Sequence, residues 1–371
     1  MKKLLLLLAL GGIAAAGHAQ EILVGADFKM YFDNKEFGSN EFAVPGLDIE
    51  SGTDFAARLT PRVGIRWDEK NTLVIAADMI KNFGSAESAY LSEIKPVFYY
   101  QFRTPKVTAA AGIFTRDMMH DDDYSTAFFS ESERFFHNRM NGVLAQYNGK
   151  RNSYVEFVCD WEGMYSTLSR EKFRILLAGR HYLDTFYYGF NYSMFHYAGQ
   201  QGAPIENVVD LQLLNPCVGV KFNAFFDFDI KLGALLTAQR DRSFGHSWEK
   251  PCMGEFAFRI SRWGLSLDER LYVGDNIHPF FYGHDLENTD DTTTHIPYGR
   301  ELYPGESFFR TDQKVYSRTA LSYRRSFFND TVSVRAEFAA HHDGTALGTQ
   351  QMLVVGVKLL KTVYNSKNHK K

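Results

Sequence analysis

Polar and apolar side chains alternate with a period of two along most of this chain. Between Gly52 and Trp67 the even positions hold Asp54, Arg58, Thr60, Arg62, Gly64 and Arg66, and the odd ones Phe55, Ala57, Leu59, Pro61, Val63, Ile65 and Trp67. A strand shows successive side chains on opposite faces, so this segment predicts one greasy face and one face carrying three arginines. The pattern recurs. Glu93, Lys95, Tyr99, Gln101 and Arg103 stand against Ile94, Pro96, Phe98, Tyr100 and Phe102, and Glu156, Asp160 and Glu162 against Val155, Phe157, Cys159 and Trp161. A later strand turns Phe186, Tyr188, Phe190, Tyr192 and Met194 to one side. About sixteen strands can be placed by this periodicity.

Longer polar loops alternate with tight turns such as Asp68–Asn71, Thr104–Lys106 and Asn148–Asn152. A membrane barrel with both chain ends on one side requires that alternation, whereas a sandwich or propeller has no reason to show it. The fold class expected is therefore all-β: a transmembrane antiparallel up-and-down β-barrel of about 16 strands. It would occupy residues 20–364, with external loops at 117–137 and 275–312 and a basic tail at 365–371.

The N-terminus sharpens the compartment. Lys2 and Lys3 precede an apolar run from Leu4 to Ala16, and Gly17-His18-Ala19 follows, which predicts a secretory signal peptide over residues 1–19. The run falls short of the roughly 20 apolar residues that span a bilayer. Aromatics make up 15% of the chain, with no other long apolar run, as expected if only every second residue meets lipid. Losing Lys2 and Lys3 takes the formal charge from −3 to −5, which gives no sign of a nucleic-acid partner. Cys159, Cys217 and Cys252 lie far apart and are odd in number, which argues against a disulfide framework or a metal cluster.

With its signal peptide, alternating strands and loop asymmetry, the chain resembles bacterial outer-membrane porins in the broad sense, of a Bacteroidetes-like type. The resemblance implies the outer membrane of a Gram-negative bacterium, contact with outer-membrane lipid, and passive diffusion of small hydrophilic solutes. It leaves open whether the barrel forms a homo-oligomer. In general diffusion porins the third external loop folds inward and sets acids across from a ladder of arginines. Here that loop, 117–137, holds Asp117, Asp121, Asp122, Asp123, Glu131 and Glu133, and the facing wall offers Arg58, Arg62, Arg66, Lys95, Arg103 and Arg139. Opposed charges across a narrow lumen would select solutes by charge and orientation. The local alternative pairs those cations with Asp54 or Glu93.

Candidate chemistry is sparse. Gly245-His246-Ser247, Gly283-His284-Asp285, His341-His342-Asp343 and His120 beside Asp121 all fall in or beside expected external loops, where solvated His and Asp are ordinary. No cofactor or metal is expected, since three consecutive acids lack the spaced ligands of a cation cage. The expectation is a channel without catalysis. The alternative is a non-conducting barrel: an enzyme, an adhesin or a plugged lipid transporter.

Overall fold

The structure is a computed structural model that describes residues 21–37, 51–85, 90–202, 208–242, 247–275, 277, 303–306, 309 and 313–365. The expected signal peptide, most of loop 275–312 and the tail beyond Asn365 lie outside the described residues.

Sixteen antiparallel strands close on themselves, each paired with its sequence neighbours and the first with the last. They are β1 (Glu21–Glu36), β2 (Gly52–Trp67), β3 (Asn71–Asn82), β4 (Glu93–Arg103), β5 (Val107–Thr115), β6 (Arg139–Asn148), β7 (Tyr154–Gly163) and β8 (Lys172–Leu183). The second half comprises β9 (Phe186–Tyr197), β10 (Val209–Asn223), β11 (Asp227–Asp241), β12 (Cys252–Arg262), β13 (Leu265–Gly274), β14 (Val315–Phe327), β15 (Val332–His342) and β16 (Leu347–Asn365). β16 runs past Tyr364 because β1 offers it partners to the end: Glu21 faces Asn365 and Ile22 faces Tyr364. Closure leaves no unpaired edge, which is what permits a sheet to cross lipid.

The greasy face points outward. Val63 is 54% exposed and Leu59 39%, whereas Arg58, next to Leu59, is 2% exposed. That is the inverse of a water-soluble sheet, and it makes the molecule an outer-membrane-type barrel. The start of β1, the end of β16 and the tight turns share one end, the periplasmic one, and the longer loops mark the outer end.

The interior is layered and drier than the alternation suggests. In the outer half many inward positions of β8 to β14 are apolar, including Leu176, Phe195, Leu211, Leu213, Leu235, Met253, Tyr272 and Tyr316, with Arg174, Gln239 and Glu255 buried among them. Residues 116–137 fold into the barrel and press Phe128 and Phe129, 2% and 1% exposed, into this cluster. Within that loop, α1 (Glu131–Phe136) starts on Ser130, whose side chain accepts a hydrogen bond from the Glu133 amide. Such a cap satisfies one of the amides a helix start leaves orphaned. Residues 303–306 dock on the loop: Tyr303 donates to the Ala127 carbonyl at 2.7 Å, and the Ser130 amide donates to the Pro304 carbonyl at 2.7 Å. Towards the periplasm the inward positions turn polar, with Asp229, Lys231, Asp268, Arg270 and Arg335 lining the space below the loop.

Candidate functional site on the lumen and the lipid-facing wall

Two charged assemblies stand out, one inside the barrel and one on its outer surface. Inside, Arg58 pairs with Asp78 at 2.9 Å, Arg62 with Asp27 at 3.0 Å and Arg66 with Glu21 at 3.0 Å. Lys95 pairs with Glu93, Arg139 lies 3.7 Å from Asp78, and Arg103 is exposed beside a tight turn. Arg58, Arg62, Arg66 and Lys95 thus meet acids of their own or neighbouring strands, while Arg139 of β6 reaches across to β3.

The acids of the inserted loop take other partners. Asp117 pairs with Lys29 of β1 at 3.0 Å, Asp123 with Arg180 of β8 at 2.8 Å, and Glu131 with Arg335 of β15 at 3.2 Å. Asp121 binds Arg134 at 3.1 Å, and Glu133 lies 3.4 Å from Arg116, both within the loop. Asp122 lines the cavities on either side of it. The loop is therefore clamped to β1, β8 and β15, not to the arginine ladder of β2. Arg58 touches it through the Phe136 carbonyl, 3.3 Å away, and the Phe135 ring.

Burial by itself would raise the Glu131 carboxyl. The guanidinium groups of Arg335, Arg134 and Arg318 outweigh that effect and hold it at about 2.

The histidine clusters read from sequence divide. His246 and His284 lie outside the described residues. His120 stacks on Tyr154 inside the barrel at 3.7 Å between ring centroids. His341, expected in a solvated loop setting, lies on β15 and is 1% exposed, held between the Tyr316 hydroxyl at 2.9 Å and the Gln350 side chain at 3.0 Å. The reason is parity: position 341 falls on the inward face of its strand.

The outer surface carries an assembly that the sequence reading passed over. Across five adjacent strands, register places Trp161 opposite Phe173, Phe173 opposite His196, His196 opposite Asp210, and Asp210 opposite Arg240. All five continue the lipid-facing parity of their strands. Each sits within two residues of its strand's outer end, at the depth where aromatic side chains mark a membrane interface. His196 Nδ1 and Asp210 Oδ1 are 3.2 Å apart. A carboxylate only accepts, so Nδ1 carries the proton and Nε2 keeps its lone pair. Asp210 also accepts from Arg240 Nε at 2.8 Å and from Arg242 Nε at 2.9 Å. Trp248 lies over the Arg240 guanidinium at 4.5 Å. The Phe173 ring flanks His196 at 5.1 Å and itself stacks on Trp161 at 5.0 Å.

A signal for this row was present in the sequence. The outward series Phe186, Tyr188, Phe190, Tyr192, Met194 continues by the same step to His196, a titratable group in a lipid-facing register. Asp210 lies 14 residues further on, across a long loop, so only strand pairing joins the two.

The sequence model of the lipid A 3′-O-deacylase-type family matches residues 14–249, a span that includes the whole row. The chain belongs to this family. The match overturns the expectation of a barrel without catalysis, because the lipid A 3′-O-deacylase-type family is named for an enzymatic activity. No curated protein matches the chain. Among solved structures, the chain is similar to Pseudomonas aeruginosa OpdL, with 10% identity, a TM-score of 0.48, and coverage of 91% of this chain and 99% of that one. The outer membrane protein OprD of the same organism aligns at 11% identity and a TM-score of 0.47, covering 94% and 96%. Acinetobacter baumannii OccAB3 aligns at 10% identity and a TM-score of 0.45, covering 92% and 99%.

Proposed function

We propose that this barrel is an outer-membrane ester hydrolase that removes an acyl chain from a phosphorylated glycolipid, working on its lipid-facing wall at the outer interface. The observation that carries the reading is the His196–Asp210 pair in a lipid-facing register, flanked by Arg240 and Arg242. A histidine and a carboxylate are costly ornaments beside lipid, and ionisable groups in such places mark function.

The chemistry follows from the atoms. Asp210 fixes the imidazole with Nδ1 protonated, so Nε2 takes a proton from water as that water's oxygen attacks the ester carbonyl carbon. When the tetrahedral intermediate collapses, the bond from carbonyl carbon to alkoxy oxygen breaks and His196 returns the proton to the departing sugar oxygen. The products are a fatty acid and the freed sugar hydroxyl. Arg240 and Arg242 place positive charge where a glycolipid phosphate or the developing oxyanion would sit. Phe173 and Trp161 offer an apolar bed for the chain. An acyl ester lies just beneath the head group, the depth at which the row sits.

The test is acyl release from lipopolysaccharide in mixed micelles, followed by mass spectrometry. His196→Ala is expected to lower the rate by roughly 10²–10⁴-fold, the usual contribution of a general base. Wild-type barrel that releases no fatty acid would sink the activity, and full activity in the variant would sink the site.

A second reading, passage of small hydrophilic solutes, is favoured by a different observation. The inner half of the lumen holds a charged cavity of about 580 Å³ beneath the inserted loop, lined by Lys29, Asp117, Glu131, Arg335 and Lys358 among others.

A further inference from the structure

One sizeable cavity lies neither in the lumen nor beside His196. It is a groove of about 660 Å³ at the periplasmic end of β6 to β9, and most of its lining faces outward. Its floor follows from register. Tyr147 faces Val155, Val155 faces Gly179, and Gly179 faces Phe190. Gly179 has no side chain, and the Phe190 ring and Val155 lean over it, 3.2 and 3.6 Å from where a Cβ would stand, so the floor of the trough is a continuous apolar surface of Val155, 55% exposed, Tyr188 and Phe190.

The rim of the trough is cationic. Lys150 and Arg151 belong to the β6–β7 turn, and His181 stands on β8 beside the Tyr188 ring. The turn is built tightly: the Gly149 amide donates to the Ser153 carbonyl at 2.7 Å and the Ser153 amide returns the bond to the Lys150 carbonyl at 3.0 Å. It holds Arg151 at φ +56° and Asn152 at φ +61°. Arg151 is anchored by Asp184 across the neighbouring turn at 3.0 Å. With one acid against Lys150 and Arg151, the rim stays net positive even with His181 neutral.

We infer that this groove is a binding site for an anionic diacyl phospholipid of the inner leaflet, with one acyl chain in the trough and the phosphate at Lys150, Arg151 and His181. Depth supports the assignment, because tight turns lie at the periplasmic interface, where phospholipid head groups meet water. Charge supports it as well: basic residues at such an interface attract anionic head groups, and tyrosines prefer the same depth. Free inorganic phosphate would use the rim but has no use for the apolar floor. The inference is independent of the hydrolase reading, since the two sites lie at opposite ends of the barrel.

The experiment uses the intact barrel in mild detergent with added phosphatidylglycerol or phosphatidylcholine, and native mass spectrometry counts retained lipid. Wild type is expected to keep phosphatidylglycerol in preference to phosphatidylcholine. A Lys150→Ala/Arg151→Ala/His181→Ala variant should lose roughly tenfold or more of that retention. Val155→Trp, which fills the floor and keeps every charge, should also lose it. Arg325→Ala with Lys361→Ala, exposed cations on distant strands, should not. Folding of each variant is checked by heat-modifiable electrophoretic mobility. Equal retention of the two lipids by wild type, undiminished retention in both groove variants, or full displacement by inorganic phosphate would each overturn the site.

Discussion

At the scale of single residues, position within the alternation decides what a polar group can do. Arg58, Arg62 and Arg66 fall on even positions of β2 and turn inward to meet carboxylates, while His196 and Asp210 fall on outward positions and meet one another at the lipid boundary. Asp210 touches no reacting atom in the proposed chemistry, and its part is to hold the imidazole. Asp210→Asn keeps the shape but can present its amide N–H to Nδ1 and favour the wrong tautomer. It is therefore expected to lower acyl release on the order of 10²-fold or more. It should also change the acid limb of the pH–rate profile, a readout that a purely structural role would leave in place. An unaltered profile at reduced rate would argue that Asp210 serves only to hold the rim together. The facing directions of these residues were legible from periodicity. Their partners were not, because the carboxylate that neutralises Arg58 is Asp78, on the next strand, and register is a property of pairing.

At the scale of elements, the inserted loop shows how a segment read as external becomes interior. Phe128 and Phe129 are buried against the apolar inward positions of β8 to β14, and Phe135 packs with Tyr31, Ala56, Ile80 and Met352 of β1, β2, β3 and β16. The acids then act as clamps to Lys29, Arg180 and Arg335. Burial opposes ionisation of Glu131, but three arginines hold its carboxyl at about 2 instead of the ordinary 4.5. A carboxyl depressed in the folded state stabilises above its unfolded pKa and loses that contribution as pH falls through the folded one. Docking of α1 should thus be fully held above about pH 4.5 and weaken progressively towards pH 2. Hydrogen exchange of residues 131–136, corrected for the intrinsic chemical rate, is the check. Protection unchanged down to pH 2 would remove the ion pair from the account of how the loop is held.

At the scale of the whole molecule, the barrel separates its tasks by surface: an insulating wall, a filled outer half, a wet charged inner half, and an ionic row on the outer rim. Passage of solutes through such an interior depends on how the loop sits. Liposomes carrying wild type are expected to swell slowly in small sugars. A variant with Arg180→Ala and Arg335→Ala, which frees the loop from two of its wall clamps, should swell severalfold faster. Equally slow swelling in that variant would sink the solute-passage reading and leave the surface chemistry as the barrel's task.

The sequence by itself determined the barrel, because a period of two carried over sixteen strands leaves one greasy face, and long and short connections in turn leave two distinct ends. It also determined which side of the wall the arginines of β2 occupy. Tertiary structure alone decided which charges meet, which wall residues hold the third loop, and that His196 and Asp210 share a hydrogen bond across 14 residues of chain. The physical reason is that facing direction is local, set by the backbone at each residue, whereas pairing depends on strand register and barrel closure, which join residues far apart in sequence.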